Sequence, residues 1–443
     1  MPEPTRSAAP LDRIAKGLLI ALVVLLPVST SWVVLTVPDA QKDLNRQTSF
    51  TFFDLAVAAI VCVAALRWWR DGRPFTWTRL TRLGAVFGAL LLVAFAFHPS
   101  THGAELIVRI VGGIAIVLEL RRLRGADRQL VLGAIFALGV FEATLSLAQV
   151  WNGSTFGLPA IEMKRYELFV FHSTAAGQGS FSHPYHLVCC LLVALAAGWI
   201  GLSGARPDRH LRWSAGFPVI GLALGMSFSR SAAIAVATTA LIGVLARRGP
   251  EGRPLRLVSV LLIIGFFVGG YVGLDGWRYK ESITTDSKSI DSGRGGLAES
   301  AREIIGANPL VGIGPGRYVQ VAIDRHEPSQ NPPHNWLLQV AAEDGLAAAL
   351  AVAALSILIG WRALRAGPEA TMGFALLAPF WIGDAYPYTY PHGIALSALW
   401  LGVIFLAIDT AEPHPWSRLT RSERRQEALL APRRVVAVDR AQR

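Results

Sequence analysis

Cysteine is scarce in this chain of 443 residues: Cys62, Cys189 and Cys190 are the only ones, and each falls inside an apolar run. That excludes a disulfide framework, and it excludes a zinc ribbon in the polar segments. Charge is scarce as well. Only 16% of residues are charged, where a soluble domain carries about a quarter. No Walker-type phosphate loop and no dinucleotide fingerprint occurs, and there is neither an internal repeat nor a low-complexity linker. Lys and Arg are missing altogether from two short stretches, His98 to Glu105 and Asp384 to His392.

What the chain has is apolar residues, 52% of the total, gathered into runs of about 20, the length that crosses the hydrocarbon core as a helix. The runs lie near 17–37, 50–69, 83–97, 106–120, 130–151, 187–204, 214–229, 231–246, 257–274, 346–361, 371–386 and 392–409. Backbone groups inside a bilayer must be satisfied within their own segment, so such runs form helices. The expectation is an all-α integral membrane protein of about twelve transmembrane helices with a periplasmic loop and helical cap. Residues 1–274 form a bundle of nine spans with a loop at 151–186. Residues 275–345 form a polar catalytic loop with short helices, residues 346–409 three further spans, and residues 410–443 a basic tail. The basic N-terminus before the first run imitates a secretion signal, but the many later spans favour an uncleaved first helix.

Orientation follows from the basic residues. Arg67, Arg70, Arg73, Arg79 and Arg82 fall in one loop, and Arg121, Arg122, Arg124 and Arg128 in the next loop on the same side. Arg206, Arg209 and Arg212, Arg247, Arg248, Arg253 and Arg256, and Arg362 and Arg365 continue that side. Short loops rich in Lys and Arg stay in the cytoplasm, so both termini are expected there and the two long segments, Trp151 to His186 and Asp275 to Asn335, outside it. The net charge of +11 therefore belongs to loops beside the spans, where it meets anionic headgroups. Membrane lipids, not nucleic acid, are the partners it implies.

The long segment before residue 346 carries the polar chemistry. It holds Ser292-Gly-Arg294, then Asn308-Pro-Leu-Val-Gly312-Ile-Gly314-Pro-Gly316, then Pro332-Pro-His334-Asn335-Trp336. Leu297 to Ile305 has helical spacing, the three glycines suit a tight turn, and Trp336 to Ala342 begins a helix. Arg294 can grip two phosphate oxygens at once or stand as a solvated surface arginine; Arg302 and Arg317 offer the same chemistry more weakly. Arg230, between two apolar runs, either snorkels to the interface or meets an anion. Arg109 pairs with Glu105 or binds substrate, the ion pair being the simpler reading. His334 can take a proton from a hydroxyl near neutral pH, or it caps the helix that follows. No second His, Cys or carboxylate stands beside it at metal spacing, so no metal is expected. Glu343 and Asp344 are expected to cap or orient that helix. Gly177 to His186, with His183, Tyr185 and His186, reads as a sugar platform or as a turn in an interfacial aromatic belt.

Together these pieces resemble the O-antigen ligase and polymerase superfamily of bacterial inner membranes. The resemblance rests on Ser229-Arg230 opening a span, on Ser292-Gly-Arg294 followed by Asn308 to Gly316, and on His334-Asn335-Trp-Leu-Leu338 with Glu343-Asp-Gly345. Gly179-Ser-Phe181-Ser-His-Pro184 is similar to a further element, with a histidine where asparagine is usual. Single motifs of this kind are weak, and their combination and order carry the likeness. The family implies transfer of a glycan from a polyprenyl diphosphate to an acceptor hydroxyl at the periplasmic face, with no cofactor. It implies that Arg230 and Arg294 bind the diphosphate and that His334 serves as base on the acceptor sugar or positions it; Arg302 and Arg109 stand as further substrate-binding candidates by their own chemistry. The reading is an O-antigen ligase moving O-antigen from undecaprenyl diphosphate to lipid A-core. A polymerase or a protein-glycosylating transferase shares the donor; the first long loop carries only Lys164 and Arg165, a point for the ligase. A transporter is the rival of another class, and it would show broken, charged spans in repeated halves.

Overall fold

A computed structural model describes residues 9–28, 31–36, 47–71, 78–158, 168–171, 174–181, 183–205, 210–245, 253–286, 294–325, 331–383 and 386–411. The basic tail expected beyond residue 411, and Lys164 and Arg165, lie outside these residues. Helix α1 (Ala9–Leu25) precedes strands β1 (Ser31–Thr36) and β2 (Gln47–Thr51). Helices α2 (Phe52–Asp71), α3 (Arg79–Phe97), α4 (Thr101–Arg122) and α5 (Gly125–Asn152) come next, then strands β3 (Phe169–Phe171) and β4 (Thr174–Ala176). After them stand α6 (Pro184–Ser203), α7 (His210–Ser214), α8 (Gly216–Gly225), α9 (Arg230–Leu245), α10 (Arg253–Val272) and α11 (Leu274–Asp286). The polar segment holds α12 (Arg294–Ala307), α13 (Tyr318–Asp324) and α14 (Trp336–Asp344). The chain closes with α15 (Leu346–Ala366), α16 (Pro368–Gly383), α17 (Tyr386–Thr389) and α18 (Pro391–Thr410).

Among the described residues the apolar runs expected to span are mainly helical, with breaks in the run at 17–37 and in that at 214–229, where α8 stops at Gly225. The first was expected to run from Gly17 to Val37, yet α1 ends at Leu25, just before Pro27, whose ring disfavours helix at the residue ahead of it. The β-branched stretch Ser31–Thr36 instead pairs antiparallel with Gln47–Thr51, Ser31 opposite Thr51, with an irregularity between Val33 and Leu35. A second small ladder sets Phe169 opposite Ala176, so two short sheets accompany a helical fold.

Among the described residues seven helices are long and apolar enough to cross a membrane: α2, α3, α5, α6, α10, α15 and α18. The other expected spans are, among the described residues, shorter or carry more charge. Helix α1 has 17 residues, α9 and α16 have 16, and α8 has 10, a rise of roughly 15 Å against a core of about 30 Å. Helix α4 has 22 residues but carries Glu105, Arg109 and Glu119 along its length.

Helix α6 is the axis of the packing, buried along almost its whole length. It lies against α5, α16 and α18, and α18 in turn covers α4. Trp199 and Trp400 are fully buried there, the indole of Trp400 donating to the Gly373 carbonyl at 2.7 Å.

Ion pairs gather the arginine-rich helix ends at one side of the bundle. Lys16 of α1 meets Asp127 of α5 at 2.7 Å. Arg67 of α2, itself buried, lies 2.9 Å from Asp12 and 3.4 Å from Glu119. Arg122 also reaches Glu119, and Arg121 grips Asp409 at the end of α18. A buried arginine held by two carboxylates keeps its charge compensated.

Helices α8 and α10 touch backbone to backbone. A Cβ on Gly221 would sit 2.5 Å from the Leu262 carbonyl, one on Gly225 2.2 Å from that of Phe266, and one on Gly269 2.1 Å from that of Leu222. Small residues at such a seam permit the close approach. Gly269→Ala is expected to destabilise the protein by about 1–3 kcal/mol, seen as a lowered melting temperature in detergent. Gly88→Ala, where nothing lies within 4 Å, should leave that temperature unchanged or raised.

Candidate functional site

The end of the bundle opposite the arginine-rich side carries the polar segment. Its organising contact is between the glycine turn and the last turn of α14. The Ile313 amide donates to the Ala342 carbonyl at 2.9 Å and the Gly314 amide to that of Glu343 at 2.8 Å, while the Leu346 amide returns to the Pro309 carbonyl at 2.9 Å. Gly312, Gly314 and Gly316 all have positive φ, at 65°, 97° and 68°. Side chains are excluded here for space as well: a Cβ on Gly312 would sit 2.3 Å from the Glu343 carbonyl. Beneath the turn an apolar cluster of Ala301 and Ile304 of α12, Ile313, Tyr318 and Ala322 of α13, and Ala342 of α14 locks the three short helices together.

Glu343 is 1% exposed, and its carboxylate pins the turn. The Gly316 amide donates to Oε2 at 2.8 Å, and the Tyr318 amide to Oε1 at 3.0 Å. The Gln339 side chain adds a third donor at 3.3 Å. Burial pushes this carboxyl up to about 7, against the pull of those donors and of nearby His102. Asp344 beside it accepts from the Tyr388 hydroxyl at 2.6 Å, and burial together with the Glu343 charge raises its carboxyl well above the usual range.

The turn between α3 and α4 supports the glycine turn from the other side. Ser100 caps α4, and its hydroxyl also donates to the Pro315 carbonyl at 3.4 Å. A Cβ on Gly314 would meet His98, and one on Gly316 would meet His102. In sequence this stretch stood out only for lacking Lys and Arg. Its contribution arises from contacts between residues 215 positions apart.

The predicted site residues take the following places. His334 stands two residues ahead of α14, half-buried. The helix is capped by Asn335, whose Oδ1 accepts from the Leu338 amide at 3.1 Å, so capping is not the work of His334. Arg230 is exposed as the first residue of α9, beside Ser229, whose hydroxyl accepts from the Ala232 amide at 3.2 Å. Arg294 opens α12; its side chain lies outside the described residues. Arg302 is on the exposed side of α12, away from Ala301 and Ile304. Arg109 is paired with Glu105 one turn earlier on α4, and His102 lies 3.6 Å from the same carboxylate.

A run of contacts joins the head of α9 to α14. Ser231 lies 3.4 Å from the Tyr185 hydroxyl at the head of α6. His186 stacks on Tyr386 at 3.9 Å, and Tyr388 of the same short helix α17 bonds Asp344. The Gly177 to Phe181 element is seated on α5. Glu142 accepts from the Ser180 amide at 2.8 Å and hydroxyl at 2.7 Å, and Gln149 brackets Gly179 with bonds to its amide and carbonyl. That element is a docked turn, with His183 as the cap of α6. Glu142 was findable in sequence as a carboxylate inside an apolar run. Among the described residues no group of three or more His, Cys, Asp or Glu is arranged to hold a metal ion.

Fold and site define a multi-pass helical membrane protein whose polar end is built from three short helices and a glycine turn. Residues 215–353 match the O-antigen ligase family, which supports the O-antigen ligase and polymerase superfamily and a function of that type. The matched stretch is less than half of the chain but holds Arg230, Arg294, Arg302, His334 and Glu343; Arg109 and the Gly177 element lie outside it. No curated protein matches the chain.

Glu343→Gln would turn an amide toward a backbone N–H and is expected to cost about 1–3 kcal/mol, with faster proteolysis of the 308–318 turn. The folded carboxyl near 7, raised from an ordinary value of 4.5, holds a proton that the unfolded chain releases. Its contribution to stability is therefore full below 4.5 and falls as pH rises through about 7. Melting temperatures measured across that window should decline for the wild type and lose this component in Glu343→Gln.

Proposed function

We propose that the protein is an O-antigen ligase, moving O-antigen from undecaprenyl diphosphate to a hydroxyl of lipid A-core at the periplasmic face of the inner membrane. His334 takes the proton of the acceptor hydroxyl, whose oxygen attacks the anomeric carbon. The bond from that carbon to the phosphate oxygen breaks, and the diphosphate leaves with the electron pair. Arg230 and Arg294 hold the departing charge, an electrostatic task suited to two guanidiniums. The glycosyl diphosphate is already activated, so the step draws on neither nucleotide nor metal.

The observation that carries this reading is the placing of three helix heads, those of α9, α12 and α14, at the end away from the arginine-rich loops. They begin at or just after Arg230, Arg294 and His334, inside the stretch that matches the family. Anions are favoured at helix N-termini as well as by arginine, so the same end suits a diphosphate twice over. The two short loops at that end, His98 to Glu105 and Asp384 to His392, carry no Lys or Arg; against the crowded loops opposite, and with long segments exempt from the charge rule, this agrees with a periplasmic site and cytoplasmic termini.

In proteoliposomes given lipid-linked glycan and lipid A-core, His334→Ala should lower transfer by about 10²–10⁴-fold while inserting normally. Retained full activity would remove the base from the mechanism. Arg230→Ala and Arg294→Ala should weaken capture of the donor, and unchanged donor binding in both would move the site elsewhere. Deleting the gene separates ligase from polymerase on a lipopolysaccharide gel: the ligase predicts loss of all polymer from the core, whereas a single-repeat band would identify a polymerase.

A further inference from the structure

Among the described residues Phe228 is the one non-glycine residue with positive φ, at 53°. It sits in the short turn between α8 and α9, two residues before Arg230, and its side chain is 0% exposed. A bulky side chain is strained in that conformation, and glycine would adopt it freely. Such outliers persist where the surroundings over-determine them, and they gather at functional sites.

The surroundings here are specific. The Phe228 ring is received by the joint between α10 and α11: a Cβ on Gly273 or on Gly276 would sit 2.6 Å from ring carbons of Phe228. Trp277 of α11 meets the ring edge-on with centroids 5.8 Å apart, and its indole nitrogen donates to the Gly225 carbonyl, the last of α8, at 2.9 Å. The flanking serines finish the turn. The Ser227 hydroxyl donates to the Leu224 carbonyl at 2.7 Å, and that of Ser229 accepts from the Ala232 amide. The α8–α9 turn is thus clamped from above by α11 and from the side by the glycine seam with α10.

We infer that Phe228 and Trp277 are positioning residues for the anion site: their clamp holds the strained turn that aims the head of α9, and with it Arg230, at the donor. The inference rests on the reading of Arg230 as a diphosphate ligand. It adds a physical role for α11, the first helix of the polar segment, which reaches the α8–α9 turn through this contact. A glycine at 228 would make the turn without strain but leave the head of α9 free to swing. The ring supplies the fixed orientation that an arginine needs to grip two oxygens.

The test uses the full-length protein in proteoliposomes with Trp277→Phe, Phe228→Gly and, as reference, Arg230→Ala. Trp277→Phe keeps an aromatic ring and removes the bond to Gly225; Phe228→Gly keeps the backbone and removes the ring. Both are expected to raise KM for the lipid-linked donor by about tenfold or more while KM for the acceptor stays put, and to weaken binding of a labelled polyprenyl diphosphate by a similar factor. If Arg230→Ala loses donor binding while Trp277→Phe and Phe228→Gly match the wild type, the clamp is packing alone. Equal changes toward donor and acceptor would overturn the inference in the same way. If Arg230→Ala itself binds the diphosphate normally, the failure lies with the anion site. Should Phe228→Gly not fold, Trp277→Phe decides the matter alone.

Discussion

Between the glycine turn and the last turn of α14 stands one carboxylate, that of Glu343, with two backbone amides and a glutamine aimed at it. The two main-chain bonds from Ile313 and Gly314 to α14 run beside it. This contact ties α12, which begins at Arg294, to α14, which begins just after His334. Removing a carboxylate from water is costly unless donors replace the water, and here they come from the backbone of the very segment being held. The α3–α4 turn adds a floor through Ser100. The site therefore depends on a junction in which hydrogen bonding, space and backbone conformation demand the same arrangement.

The two ends of the bundle handle charge differently. At the arginine-rich end cations meet carboxylates directly, as Arg67 does with Asp12 and Glu119 and Arg121 with Asp409. At the other end the buried carboxylates Glu142 and Glu343 are answered mainly by backbone amides and neutral side chains. Arg230 and Arg302 at that end are exposed. Arg109 is paired with Glu105 on the same helix.

Two solutions to the same backbone problem stand side by side. The turn at Gly312 to Gly316 needs positive φ at all three glycines, and at Gly312 and Gly314 a Cβ would also strike main chain, so glycine fits there where a side chain does not. The turn at Phe228 needs positive φ where a cavity between Gly273, Gly276 and Trp277 is open to a ring. There the strain of an aromatic residue is offset by its burial and by the order it imposes. The first device brings two chain segments close; the second keeps a helix head from turning.

From the sequence alone, the helical class, the place of each apolar run and the polarity of the two ends followed from composition and from the distribution of arginine, since hydropathy and charge act locally. The three glycines, α12 and the start of α14 were legible for the same reason. Span length was less so: Pro27 cut the first helix short, β-branched residues after it paired as a strand, and α8 stopped after 10 residues. The roles of Glu343, Ser100, Phe228 and Trp277 were decided only by tertiary structure. Each acts on a partner distant in the chain, and no local pattern states which buried acceptor will face which amide, or which ring will fill which gap.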